Sequence, residues 1–123
     1  MLPCLRLAGN ESTAAAIISA GGSASTYTVD LSDPAQVAAA AKRVRQEVGV
    51  VDILVNNAGI VVGKTIDQIP VNAIAKVMAV NANAVMWTTN EFLPDMLARE
   101  RGGDLTLCCF GIRLVPTFID HHI

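Results

Sequence analysis

Two amides, an alanine and a glycine, Asn56-Asn57-Ala58-Gly59, follow directly on the apolar run 51–55. An amide side chain both donates and accepts, so two in sequence can tie neighbouring loops together. Ala58 and Gly59 let a flat or bulky ligand approach the backbone. Asn and Gly are also ordinary turn residues, but the loop that follows, to residue 69, is long enough to favour a working one. Asn81 stands within an apolar stripe. A buried amide without partners costs on the order of 1–3 kcal/mol, so Asn81 is expected to bond either to a core partner or to a water in an active site. Asp30 closes a β-rich stretch. Its carboxylate can accept from an adenine amino group while Leu31 offers its backbone; equally, Asp30 and Asp33 suit turn and cap positions. A phospho-receiver would also need an acidic pair early in the chain, and none is there.

Other reactive side chains carry less. The three cysteines, Cys4, Cys108 and Cys109, are odd in number and lack metal-ligand spacing. They read as reduced thiols in a cytosol-like compartment, with no metal site. Cys109 reads as a core residue, and His121 and His122 as a solvated tail. The only tyrosine, Tyr27, falls inside an early strand.

The elements that position these residues follow from pattern. Residues 5–8 read as a short strand, and Asn10 as the N-cap of a helix over 11–20 stopped by Gly21-Gly22. Residues 25–29 alternate as a strand. Asp33, Pro34 and Gln36 come close to a capping box for a second helix, whose stripe is Val37, Ala41, Val44 and Val48, ended by Gly49. Residues 51–55 read as a strand buried on both faces. Residues 71–99 read as one helix, roughly 40 Å long at 1.5 Å per residue. One stripe holds Ile74, Met78, Asn81, Val85, Thr88 and Phe92; a second holds Ala73, Val77, Val80, Ala84 and Trp87. Pro94 should bend the last turns. Gly102-Gly103 breaks the helix, and 105–109 reads as a last strand. Alternating strands and helices imply a single domain over 1–123: a three-layer, doubly wound parallel α/β sheet of Rossmann-like type.

Composition narrows the classes. Of the 123 residues 52% are apolar and 16% charged, with a net charge of −2, which gives a core-rich chain with no basic footprint for nucleic acid. No segment reaches the roughly 18 apolar residues of a membrane span.

Three pieces in order, Val29-Asp30-Leu31-Ser32-Asp33, Val51-Asp52-Ile53-Leu54-Val55-Asn56-Asn57-Ala58-Gly59 and Val80-Asn81-Ala82-Asn83-Ala84, resemble the short-chain dehydrogenase/reductase family. The stretch 87–96 looks most like its hydroxysteroid and retinol dehydrogenase branch, and the likeness covers about 5–107. The resemblance implies hydride transfer between NAD or NADP and an alcohol or ketone, plausible substrates being steroids, retinoids or other lipids. It implies that Asp30 and Leu31 contact the adenine. Asn57, Ala58 and Gly59 would line the cofactor ribose, and Asn56 would brace the sheet. Asn81 would hold a water in the proton relay.

The departures are equally informative. The sequence has no G-x-G-x-x-G or similar turn, so the first strand–helix unit of that fold is absent, and with it the backbone donors for a pyrophosphate. It has no Tyr-x-x-x-Lys: four residues after Tyr27 stands Leu31. The likeness stops after Leu107, and the family's catalytic serine is replaced by Cys108-Cys109-Phe110-Gly111. A one-base shift of frame would restore small residues there, which a transcript read across the region tests. Two functional expectations follow. One is an oxidoreductase by family whose 123 residues do not turn over by themselves. The other is a non-catalytic protein that forms homo-oligomers or docks on a full-length relative through the second stripe of the long helix, left bare at Trp87. The choice between NAD and NADP is not readable from Leu7-Ala8-Gly9-Asn10.

Overall fold

The computed structural model describes residues 10–100, 102–106 and 115–117, the last of these and 104–106 by backbone alone. The expected strand at 5–8, and Cys4, Leu107, Cys108, Cys109, His121 and His122, lie outside the described residues.

Helix α1 spans Asn10–Ser19. Asn10 lies within it, and its amide donates to the Tyr27 carbonyl at 3.4 Å, tying the helix start to the following segment. Gly21, at φ 82°, lets the N–H groups of Gly21 and Gly22 turn back onto the carbonyls of Ile18 and Ile17, a Schellman closure. Residues 25–29 keep the alternation of a strand, with Tyr27 and Val29 buried, but only Thr26 forms a bridge. Side-chain period alone does not make a ladder; that needs a continuous run of backbone partners.

Helix α2 spans Pro34–Glu47. The Asp33 carboxylate accepts from the N–H groups of Ala35 (2.9 Å) and Gln36 (3.4 Å). The reciprocal half of the box is redirected: Gln36 accepts from the Asp30 N–H at 3.1 Å, so the cap also holds the turn before it.

Strand β1 spans Ile53–Asn56. A 3₁₀ turn at Ile66–Gln68 interrupts the long loop. The long helix forms in three parts: α3, Val71–Met78; a π turn, Ala79–Asn83; and α4, Ala84–Ala98, which contains Pro94. Strand β2 spans Gly103–Thr106 and β3 spans Val115–Thr117. β1 and β2 pair in parallel, Ile53 opposite Gly103 and Asn56 opposite Thr106. β3 pairs antiparallel with β2. The parallel core of the expected sheet is present, and the antiparallel edge departs from the all-parallel expectation.

The core gathers Tyr27, Val29, Val37, Ala40, Ala41, Val44, Val51, Leu54, Phe92 and Met96 where α2 and α4 meet the sheet. Arg45 of α2 joins α4 at a half-buried edge, donating to the Glu91 carbonyl (2.7 Å) and carboxylate (3.0 Å). Two expectations about burial are corrected. β1 is covered on one face only: Leu54 and Asn56 are buried, whereas Ile53 and Val55 are 61% and 41% exposed. The packed helices α2 and α4 share the Leu54 side, so the other face lacks a layer among the described residues. The second stripe of the long helix is not bare. Val80 and Ala84 are buried and Trp87 packs against the core. The open apolar residues are instead Val71, Ile74 and Met78 on α3, with Met86 and Leu97 on α4.

Candidate functional site

β1 ends at Asn56, and the chain turns through Asn57, Ala58 and Gly59 to Ile60 at the carboxyl edge of the sheet. Asn57 and Gly59 are exposed and Ala58 half-buried. This turn is held at both ends by one helix. At its start, buried Asn56 has its Oδ1 2.7 Å from the Thr88 hydroxyl, and its amide donates toward Thr89 at 3.4 Å. At its far end, Asn81 accepts from the Ile60 N–H at 2.8 Å and donates to the Ile60 carbonyl at 2.9 Å. Asn81 and Thr88 are seven residues apart, about two helical turns, so they share a face.

Asn81 sits in the π turn. One closing bond of that turn runs from the Ala84 N–H to the Ala79 carbonyl. Such a turn swells the helix by one residue and commonly marks functional sites. Here it sits where the helix meets Ile60. Both polar ends of the Asn81 side chain are engaged by protein backbone, so a water held at this turn would have to find further acceptors beside that clamp.

Asp30 lies on an exposed turn. Its carboxylate accepts from the Ser32 hydroxyl at 2.6 Å and from the Ser32 N–H at 2.9 Å. Those two bonds hold its pKa below the usual carboxylate range, and the nearby charge of Lys76 adds to the effect. Asp30 is therefore ionised and accepts hydrogen bonds near neutral pH. Lys76 belongs to α3, the helix that leads into Asn81. Leu31 is half-buried and packs against the core, leaving backbone rather than side chain for a ligand.

The sequence-predicted residues thus fall in two turns, Asp30-Leu31 and 56–59, with Asn81 clamping the second. The sequence pattern does not mark Thr88, Thr89, Ile60 or Lys76 as site residues. Thr88 carried a signal, a hydroxyl on an apolar stripe two turns beyond Asn81. The backbone of Ile60 carried none, because any residue presents the same groups. Tyr27 is removed from this edge: its ring is in the core and its hydroxyl bonds Glu47. Among the described residues no three His, Cys, Asp or Glu side chains gather as metal ligands, and no helix is long and apolar enough to cross a membrane.

A family model described as short chain dehydrogenase matches residues 4–107. Human retinol dehydrogenase 10 is 45% identical over 82 residues, covering 67% of this chain and 24% of its own. Mouse estradiol 17-beta-dehydrogenase 11 is 38% identical over 111 residues, covering 90% of this chain and 37% of its own. A metagenomic short-chain oxidoreductase crystallised with NADP superposes with a TM-score of 0.78 at 30% identity, covering 85% of this chain and 48% of its own. The chain therefore spans about a quarter to a half of the length of these proteins. The fold is an incomplete α/β sheet of the Rossmann-like kind they share.

Proposed function

Because this chain belongs to the short-chain dehydrogenase family, we propose that it supplies the nucleotide-facing edge of an NAD(P)-dependent oxidoreductase acting on an apolar alcohol or ketone. The observation that carries this is the 57–59 turn, exposed at Asn57 and Gly59, at the carboxyl end of a parallel strand and anchored at both ends to one helix. Ligands of open α/β sheets bind at that edge.

The residues present fit one side of a dinucleotide. Asn57 and Gly59 are accessible, Ala58 adds little bulk, and ionised Asp30 accepts hydrogen bonds beside the Leu31 backbone. When bound, the nicotinamide supplies or receives the hydride. The turn orients the ribose, Asp30 and Leu31 hold the adenine, and Asn56 fixes the turn to the helix. Asn81 keeps the π turn against Ile60, where a relay water would sit. The identity to retinol and estradiol dehydrogenases supports a steroid, retinoid or other lipid-like substrate, and the odd cysteine count supports a cytosol-like compartment. Addition of NADP to the isotopically labelled chain should shift the backbone amide signals of Asn57, Ala58 and Gly59. Unmoved signals at saturating nucleotide would remove the turn from the cofactor site.

The 123 residues contain no Tyr-x-x-x-Lys and no glycine-rich phosphate turn. By themselves they are expected to give no alcohol-dependent NAD(P)H formation, because neither the acid/base group nor the pyrophosphate donors are present. Turnover by the purified chain would reverse this part of the reading. A second reading, association with a full-length relative or another copy, is favoured by the open apolar residues of α3 and β1. Coprecipitation with a full-length relative supports it; a monomer that ignores the relative counts against it.

A further inference from the structure

Thr88 makes the shorter of two side-chain links, the other being Thr89 at 3.4 Å, between Asn56 at the end of β1 and the middle of the long helix at the base of the 56–60 turn. It is 3% exposed, and Asn56 is 9% exposed. Its hydroxyl oxygen lies 2.7 Å from Asn56 Oδ1, 2.8 Å from the Ala84 carbonyl and 3.1 Å from the Val85 carbonyl. A hydroxyl has one proton, so three acceptors share it, and the buried position keeps water from replacing it. The turn beyond Asn56 has its other anchor at Ile60, held by Asn81. Between those two points Asn57 and Gly59 are exposed and Ala58 is half-buried. Their placement therefore depends on both ends, and Thr88 sets the nearer one.

We propose that Thr88 is a positioning residue for the 56–60 turn, acting through the Asn56 amide and touching neither nucleotide nor substrate. The proposal rests on the reading that this turn lines the nucleotide. Valine has the shape of threonine but no hydroxyl, whereas serine keeps the hydroxyl and loses a methyl group. If the hydroxyl acts through Asn56, the two variants must differ at the turn more than they differ in the core.

The test uses the full chain and its Thr88→Val and Thr88→Ser forms. Amide exchange is measured at Ile60, with Val44 of α2 as the reference. Thr88→Val should speed exchange at Ile60 about tenfold relative to Val44, the size of one lost buried hydrogen bond. It should also lower the backbone order parameters of 57–59, and Thr88→Ser should restore both. Equal acceleration at Ile60 and Val44, or equal behaviour of the two variants, would make Thr88 merely structural and overturn the proposal. Should Thr88→Val not fold, Thr88→Cys, a weak donor of similar size, must fall between wild type and the expected valine effect; wild-type exchange at Ile60 would overturn the proposal.

NADP provides the second arm. Amide shifts at 57–59 that shrink in Thr88→Val and persist in Thr88→Ser support positioning toward the nucleotide; identical shifts in both overturn it. If wild type shows no shift at all, the cofactor reading fails, while the exchange comparison still decides whether Thr88 orders the turn.

Discussion

The Tyr27 hydroxyl donates to Glu47 Oε2 at 3.0 Å, Arg43 pairs with the same carboxylate at 3.1 Å, and the Arg43 guanidinium lies 5.1 Å from the ring centre. Burial, then the bond to Glu47 and its negative charge, raise the phenol pKa above its ordinary value. A group whose folded pKa is raised contributes stability that is full below its unfolded value, about 10 for tyrosine, and is lost as pH rises through the folded value. Stability should therefore fall above about pH 10 more steeply in wild type than in Tyr27→Phe, read by urea midpoints across that range. Because the chain has one tyrosine, phenolate absorbance reports this group alone. Glu47 shifts the other way, lowered by its bonds to Tyr27 and then Arg43. Its share of stability is present above the ordinary carboxylate range and is lost as pH falls through its depressed value. Asn81→Ala would release both backbone groups of Ile60. It should destabilise by about 1–2 kcal/mol in urea unfolding, whereas a substitution at an exposed position such as Glu11→Ala should change little.

Helix ends place the site elements, and α4 ends under strain. Glu100 adopts φ 54°, a left-handed conformation that suits glycine or asparagine. Glu100→Gly should raise stability by about 1 kcal/mol, seen as a higher urea midpoint with unchanged slope. A lower midpoint would show that the glutamate side chain stabilises the end in another way. Two residues on, Gly102 has φ 142°, and a Cβ there would stand 2.9 Å from Met96 Cβ and Cγ. Met96 is 1% exposed and cannot yield freely. Gly102→Ala should thus destabilise by about 1–3 kcal/mol and disturb the entry to β2. Periodicity made the long helix legible, as it did α2. It could not reveal the π turn, since one extra residue in a turn leaves the stripe nearly unchanged. Nor could it reveal that β1 is open on one side: an apolar run looks the same whether or not a second layer covers it.

Across the molecule, the apolar surface sits where the sheet and α3 are open rather than on Trp87 of α4. Ile53 and Val55 line the open face of β1, and Val61 in the following loop is 89% exposed. Such surface promotes association. Sedimentation of the purified chain should show concentration-dependent oligomers, and Ile53→Thr with Val55→Thr should shift them toward monomer. Retention of the same oligomers in that double variant would move the contact elsewhere, to α3.

The asparagine-alanine-glycine turn and its spacing from Asp30 and Asn81 fixed the family from sequence alone, because side-chain type and local order are written directly in the chain. The strand before the turn and the helices on either side were readable for the same reason: their periods and caps are local. Tertiary structure decided the rest. It paired Asn81 with the Ile60 backbone, redirected Gln36 to Asp30, set Thr88 beneath Asn56, and covered one face of β1 while leaving the other open. Each of these depends on which groups meet across the fold. Backbone partners have no residue code, and burial is a property of neighbours rather than of the residue buried.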